Sequence, residues 1–146
     1  MAIAISPKID RFTGEYEFLS NFFPSPIRMH DGMTYPTVEH AFQAHKTHSL
    51  LLRLTISDLS TPNESKRAGR QLELRDDWED IKDFIMEEAL RQKFVTHSEL
   101  KEKLLATRNA ELIEGNTWGD TYWGVCRGKG KNRLGKLLMA LRDKLK

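Results

Sequence analysis

Cysteine is nearly absent: Cys126 is the only one among 146 residues. No internal disulfide can form, and a reducing compartment or indifference to redox is expected. Long apolar runs are also missing, since no stretch approaches the roughly 18 consecutive apolar residues of a membrane span. Met1-Ala2-Ile3-Ala4-Ile5-Ser6-Pro7 has neither a basic start nor an apolar run long enough for a signal peptide. Proline is sparse, with five residues; no Pro/Gly/Ser stretch is long enough to be a linker, and nothing repeats at a fixed period. These absences point to one soluble, cytoplasmic domain over residues 1–146, with no membrane partner.

What is present suffices for a core. Apolar residues make up 39% and charged residues 30%, and a chain of this length buries about two-thirds of its unfolded surface without metal or disulfide staples. The net charge of +2 hides a gradient. Residues 127–146 hold eight Lys or Arg against one acid, while the preceding residues hold 15 bases and 20 acids. That end suits a phosphate-bearing partner, or is a solvated basic helix face.

Local chemistry places the elements. Ile27-Arg28-Met29 and Met33-Thr34-Tyr35 flank His30-Asp31-Gly32, a hairpin signal. Pro36 ends the strand and Thr37 caps a helix reaching about His48, with Val38, Ala41, Phe42 and His45 on its inner face. Thr61-Pro62-Asn63-Glu64 opens a helix to about Leu72, weakened by Gly69. Asp76-Asp77 open another ending near Phe94, with Ile81, Phe84, Ile85, Ala89 and Leu90 inward. Ser98–Thr107 reads as a shorter helix, and Leu134, Leu137, Leu138, Leu141 and Leu145 mark a last one capped by Asn132. Residues 112–126 read as short strands and loops. The class is α+β: a helix-dominated single domain with a small antiparallel sheet or hairpin.

Three constellations can carry chemistry. Glu39 lies on the polar side of its helix with Gln43 and Lys46 at i+4 and i+7; an acid in a first turn also simply complements the helix dipole. Asn116-Thr117-Trp118-Gly119-Asp120-Thr121-Tyr122-Trp123-Gly124 sets one carboxylate among large aromatics and glycines. It suits a stacked base, or is a packed loop whose Asp caps a turn. Gly128-Lys129-Gly130-Lys131-Asn132-Arg133 runs into the last helix, where unused backbone N–H groups and cations would cradle a phosphate. It is no P-loop, because Leu137 stands where Mg²⁺ binding needs Ser or Thr. His40, His45 and His48 lack zinc-helix spacing and are assigned to packing or surface. Cys126 has no identifiable catalytic partner, and Ser20-Asn21-Phe22-Phe23-Pro24 is a polar-aromatic turn, ligand-lining or plain loop.

Together, Phe18-Leu19-Ser20-Asn21-Phe22-Phe23, Tyr35-Pro36-Thr37-Val38-Glu39-His40-Ala41-Phe42-Gln43-Ala44, Trp78-Glu79, Tyr122-Trp123-Gly124 and Gly128–Gly135 resemble the YbiA-like, or NADAR, family in order and spacing, over roughly residues 10–146. The resemblance implies an N-glycosidase cleaving a ribose C1–N bond. Its substrates would be phosphoribosylamino-pyrimidine intermediates of riboflavin biosynthesis or, in related members, ADP-ribose on guanine in nucleic acid. The family's functional Glu, Trp and Asp fall on Glu39, Trp78 and Asp120. Such a reaction passes through an oxocarbenium-like state that a carboxylate stabilises, and needs neither metal nor cofactor. Either Glu39 or Asp120 takes that part, the other binding ribose hydroxyls or helping to protonate the base. Trp78 and Trp123 are expected to stack the base, Lys129, Lys131 and Arg133 to hold phosphate, and Arg67 and Arg70 to join them. Asn21, Phe22, Lys46, Tyr122, Gly124 and Asn132 complete the expected binding set, and Glu39, Trp78, Asp120 and the 128–133 loop are expected to line one pocket. The competing readings are an ADP-ribosyl-guanine hydrolase on DNA or RNA, and a non-catalytic ADP-ribose or nucleotide-binding module.

Overall fold

The computed structural model describes residues 7–146; the Met1–Ser6 stretch read above for targeting lies outside the described residues. In chain order the elements are β1 (Lys8–Ile9), a 3-10 helix (Gly14–Leu19), β2 (Ile27–Arg28), β3 (Thr34–Tyr35), α1 (Val38–Ala44), α2 (Leu50–Ser57), α3 (Pro62–Arg70), α4 (Trp78–Thr96), α5 (Ser98–Ala106), β4 (Glu111–Leu112), β5 (Gly115–Asn116), β6 (Val125–Cys126) and α6 (Arg133–Lys144). They form two compact units: a middle unit, Asn21–His97, and a split unit made of residues up to Ser20 together with Ser98–Lys146.

The middle unit is built around α1. The expected hairpin is there, with Ile27 opposite Tyr35 and Arg28 opposite Thr34 in antiparallel register. Its turn is set by Gly32 at φ 82 and by Asp31 Oδ1, which accepts the Met33 N–H at 2.9 Å. Thr37 Oγ1 then accepts the His40 N–H at 3.1 Å, a cap contributing about 1 kcal/mol. The helix stops at Ala44, four residues short of the expected end. Lys46 and Thr47 donate to Gln43 O and Ala44 O, so the last turn tightens to i→i−3 bonds. The His45 ring also donates Nδ1–H to Ala41 O at 2.7 Å, competing for the carbonyl its own N–H uses.

Helices α2, α3 and α4 and strand β3 all pack on α1, and every one of its seven residues is buried. Its polar side is therefore not a solvent face, which corrects the expectation for Glu39 and Gln43. His40 is locked between the Thr37 hydroxyl (2.8 Å) and Leu59 O (3.0 Å), and burial pushes its pKa down. His48 is exposed.

Helix α2 was not anticipated. Ser49 Oγ accepts the Leu52 N–H at 3.2 Å, and the side facing inward is carried by Ile56 and Arg53. Arg53 Nε donates to Thr47 O at 2.9 Å, and its Nη1 reaches Asp31 Oδ2 at 3.3 Å. Helix α3 starts as expected, Thr61 Oγ1 accepting the Glu64 N–H at 3.1 Å with Pro62 in the first turn. In α4 the buried stripe runs through Ile85, Met86, Ala89, Leu90, Lys93 and Phe94. Phe84, expected on it, lies one position off the stripe and is 69% exposed.

The split unit pairs β1 with β4 and β5 with β6, both parallel. Helix α6 lays Leu134, Leu138 and Leu141 inward and packs on β4. Antiparallel pairing among the named strands is confined to β2–β3, and the helix-dominated α+β class stands. Among the described residues, no helix is long and apolar enough to cross a membrane.

Candidate active site

Glu39 enters the interior because α1 is covered on several sides. Its backbone N–H donates to Asn21 O at 3.1 Å, and its carboxylate Oε1 accepts a 2.9 Å hydrogen bond from Gln43 Nε2, one turn on. Glu39 is 7% exposed and Gln43 4%. A carboxylate this deep is tolerable only with a donor on it. Lys46, past the end of α1, lies within the field of Glu39. Burial pushes the Lys46 ammonium below its ordinary value; Glu39 opposes that shift, while Arg70 and Lys66 add to it. Asn21 and Gln43 each keep one buried acceptor, Oδ1 and Oε1, without a partner among the described residues. The Asn21 amide also donates to Met86 Sδ at 3.6 Å. Phe22, beside it, is half-buried.

Trp78, the first residue of α4, is 5% exposed, its ring 5.0 Å from that of Phe42 on α1. It forms a wall more than an open stacking platform, because most of its surface is already covered by protein. Arg67 and Arg70 sit on α3 with Asn63 and Lys66 at i, i+3, i+4 and i+7, and these four residues with Thr61 line a recess. Asn63 and Lys66 were not singled out from the sequence, although their spacing relative to Arg67 and Arg70 was a visible helix-face signal.

The remaining expected residues belong to the split unit. Asp120 Oδ1 accepts the backbone N–H groups of Tyr122 (3.0 Å) and Trp123 (2.9 Å), while the Asn116 amide donates to Asp120 O and accepts from the Asp120 backbone N–H. Of the two readings of this segment, the turn-capping role is thus realised. The Tyr122 and Trp123 rings meet edge-on at 4.8 Å, with Lys131 Nζ 5.5 Å from the Tyr122 centroid. Gly124 is a glycine for internal reasons: a Cβ there would overlap Glu114 O and its carboxylate. Trp118 is 61% exposed and lines a recess with Thr121, Arg127 and Lys129.

The backbone phosphate cradle expected at residues 128–133 is not formed. The N–H groups of Lys131, Asn132, Arg133 and Leu134 donate to the carbonyls of Thr121, Gly124, Tyr122 and Trp123. The donors that a helix start normally offers to an anion are consumed holding the 121–124 segment. Cys126 and Lys129 exchange backbone hydrogen bonds around Arg127 and Gly128, both at positive φ, which makes the Gly-Lys stretch a tight hairpin turn. Asn132 does not cap α6 with its side chain. It sits at φ 51, accepts the Glu114 N–H at 3.0 Å and donates to Leu112 O at 2.8 Å, so its amide ties α6 to the strand region. The side chains of Lys129 and Lys131 are exposed and that of Arg133 is half-buried.

Comparison with known proteins adds to this geometry. The NADAR domain profile matches residues 10–146. N-glycosidase YbiA of Escherichia coli is 48% identical over 134 residues, 90% of this chain and 82% of that protein. An N-glycosidase of Nostoc punctiforme is 39% identical over 138 residues, covering 90% and 86%. The riboflavin biosynthesis protein PYRR of Zea mays is 37% identical over 143 residues, 86% of this chain but 23% of that longer protein. The NMR structure of E. coli YbiA superposes with a TM-score of 0.86 at 43% identity, covering 98% of this chain and 87% of that one. With its family profile matched from Asp10 to the last residue and its fold shared with YbiA, the chain belongs to the NADAR family.

Proposed function

We propose that this protein is an N-glycosidase that hydrolyses the ribosyl C1–N bond of a phosphoribosylated pyrimidine of the riboflavin-pathway type. The observation that carries the reading is the buried Glu39 carboxylate, held by Gln43 beside Lys46, in a chain 48% identical to an N-glycosidase. The N-glycosidase and riboflavin-biosynthesis relatives support the reaction and the substrate class.

In the proposed reaction the C1–N electron pair leaves with the base nitrogen, which takes up a proton, while a water oxygen bonds C1 and loses one. Positive charge builds on C1 and the ring oxygen, and Glu39 stabilises it and orients or deprotonates the water. The buried acceptor of Asn21 suits a ribose hydroxyl donor. Trp78 and Phe22 shield the reacting bond from bulk solvent, leaving the water that Glu39 orients, and Lys46, Arg67 and Arg70 hold the phosphate as charge-assisted donors. For the split unit we propose that Asp120 orders the Tyr122-Trp123-Gly124 loop, that the Trp123 ring suits an aromatic base, and that Lys129, Lys131 and Arg133 attract anionic groups.

The test is base release followed by mass spectrometry, in EDTA, with a phosphoribosylamino-pyrimidine and, separately, an oligonucleotide carrying ADP-ribosylated guanine. Release from the small nucleotide, abolished in Glu39→Gln with binding retained, is the expected result. Release from the oligonucleotide alone would replace the substrate class by modified nucleic acid, and binding without turnover of either would make the protein a nucleotide-binding module.

A further inference from the structure

Two features of the middle unit remain unexplained by the proposed chemistry: a buried glycine in the last turn of α3, and a buried glutamine oxygen with no partner among the described residues. Glycine inside a helix is unfavourable relative to alanine. Gly69 nevertheless stands within α3, one residue before its end, and its surroundings say why. A Cβ at this position would overlap Gln43 Oε1 and come within 2.7 Å of its Cδ and 3.2 Å of its Cβ. The α3 backbone therefore comes up against the Gln43 amide, leaving Nε2 turned to the Glu39 carboxylate at 2.9 Å. The unpartnered Oε1 faces the glycine's carbon side.

We infer that Gln43 and Gly69 together form a positioning device for Glu39: the bare glycine backbone confines the Gln43 amide, and the amide orients the carboxylate. The inference rests on the reading of Glu39 as the catalytic carboxylate. The amide's orientation follows from charge. An ionised Glu39 accepts from Nε2, whereas the flipped amide would set two oxygens against each other. Lys46 is a charged group acting on Glu39, itself flanked by Lys66 and Arg70 of α3. None of these supplies the directional N–H that Gln43 does from one turn away on the same helix.

Gly69→Ala isolates this role. The group that must yield is chiefly the far end of the Gln43 side chain, and alanine favours the helix, so the fold is retained, with thermal stability lowered because a buried carboxylate loses a donor. Glu39 loses the Gln43 donor. Gln43→Met removes the donor directly at similar volume. Both variants should lower kcat by about 10- to 100-fold, the weight of one charge-assisted hydrogen bond, with KM changed less than about threefold. Combining them should bring little further loss, because both remove the same contact.

A second readout works on the unliganded protein and needs no turnover: the carbon-13 titration of the Glu39 carboxyl. Its midpoint should rise by about half a unit or more in both variants, since the lost hydrogen bond favoured the ionised form. Unchanged midpoints in both variants would overturn the inference, as would a Gly69→Ala enzyme with wild-type kcat. If the wild-type protein cleaves neither substrate while the midpoints move as stated, the functional reading fails and the positioning of Glu39 by Gln43 stands.

Discussion

Lys93 shows how strongly single residues shape this protein. Its side chain is completely buried in the middle unit, with Nζ 5.7 Å and 5.1 Å from the ring centroids of Phe23 and Phe94. Burial brings its pKa from 10.5 down to about 7. Between those values the unfolded chain holds a proton that the folded chain lacks, so stability rises with pH across that window. Below about 7 the full cost is in force, each unit of depression being worth about 1.4 kcal/mol. Lys93→Met should therefore raise the urea midpoint at pH 7 and flatten the rise between pH 7 and 10.5; an unchanged pH profile would show that burial of the ammonium costs nothing. Asn132 gives a contrasting case. Its amide makes two hydrogen bonds to the backbone around β4, so Asn132→Ala should cost about 2 kcal/mol in a urea melt. Its own left-handed backbone adds strain that alanine tolerates less well.

At the scale of elements, α3 combines an ordinary start with an unusual surface. Thr61→Ala removes the cap and should cost about 1 kcal/mol without altering kcat. Arg67→Ala with Arg70→Ala should leave stability nearly untouched and raise KM by about tenfold, with kcat little changed, if the recess holds the substrate's phosphate. A KM that stays put in steady-state kinetics would assign these arginines to the solvated surface. The elements that the sequence announced are those whose signals are local: the Asp31-Gly32 turn, the Thr37 cap and the Thr61-Pro62 start. Helix α2 was invisible because four of its leucines, 50, 51, 52 and 54, face outward while Arg53 faces inward, held by Thr47 and Asp31. Hydrophobic periodicity has nothing to say about an inward arginine. The two parallel strand pairs join residues about a hundred or about ten positions apart in two-residue contacts, too short to leave a pattern. For the site, motif order pointed to Glu39, but its burial came from the packing of three helices and a strand on α1, which no local spacing encodes.

For the whole molecule, charge is the accessible handle. A free nucleotide lacks the condensed counterion atmosphere of a nucleic acid, so kcat/KM should change by less than about threefold between 50 and 200 mM salt, where a nucleic-acid substrate held by many phosphate contacts would lose about a thousandfold or more. Turnover measured across that range decides between them. The three tryptophans offer a different handle. Trp78 lies in the middle unit at 5% exposure, while Trp118, at 61%, and the half-buried Trp123 lie in the split unit. The chain therefore carries a native fluorophore in each unit: a shielded one with blue-shifted emission, and a solvated one open to collisional quenching by iodide. With no label attached, one denaturation experiment read at both ends of the emission band reports whether the two units melt as one cooperative body or in succession.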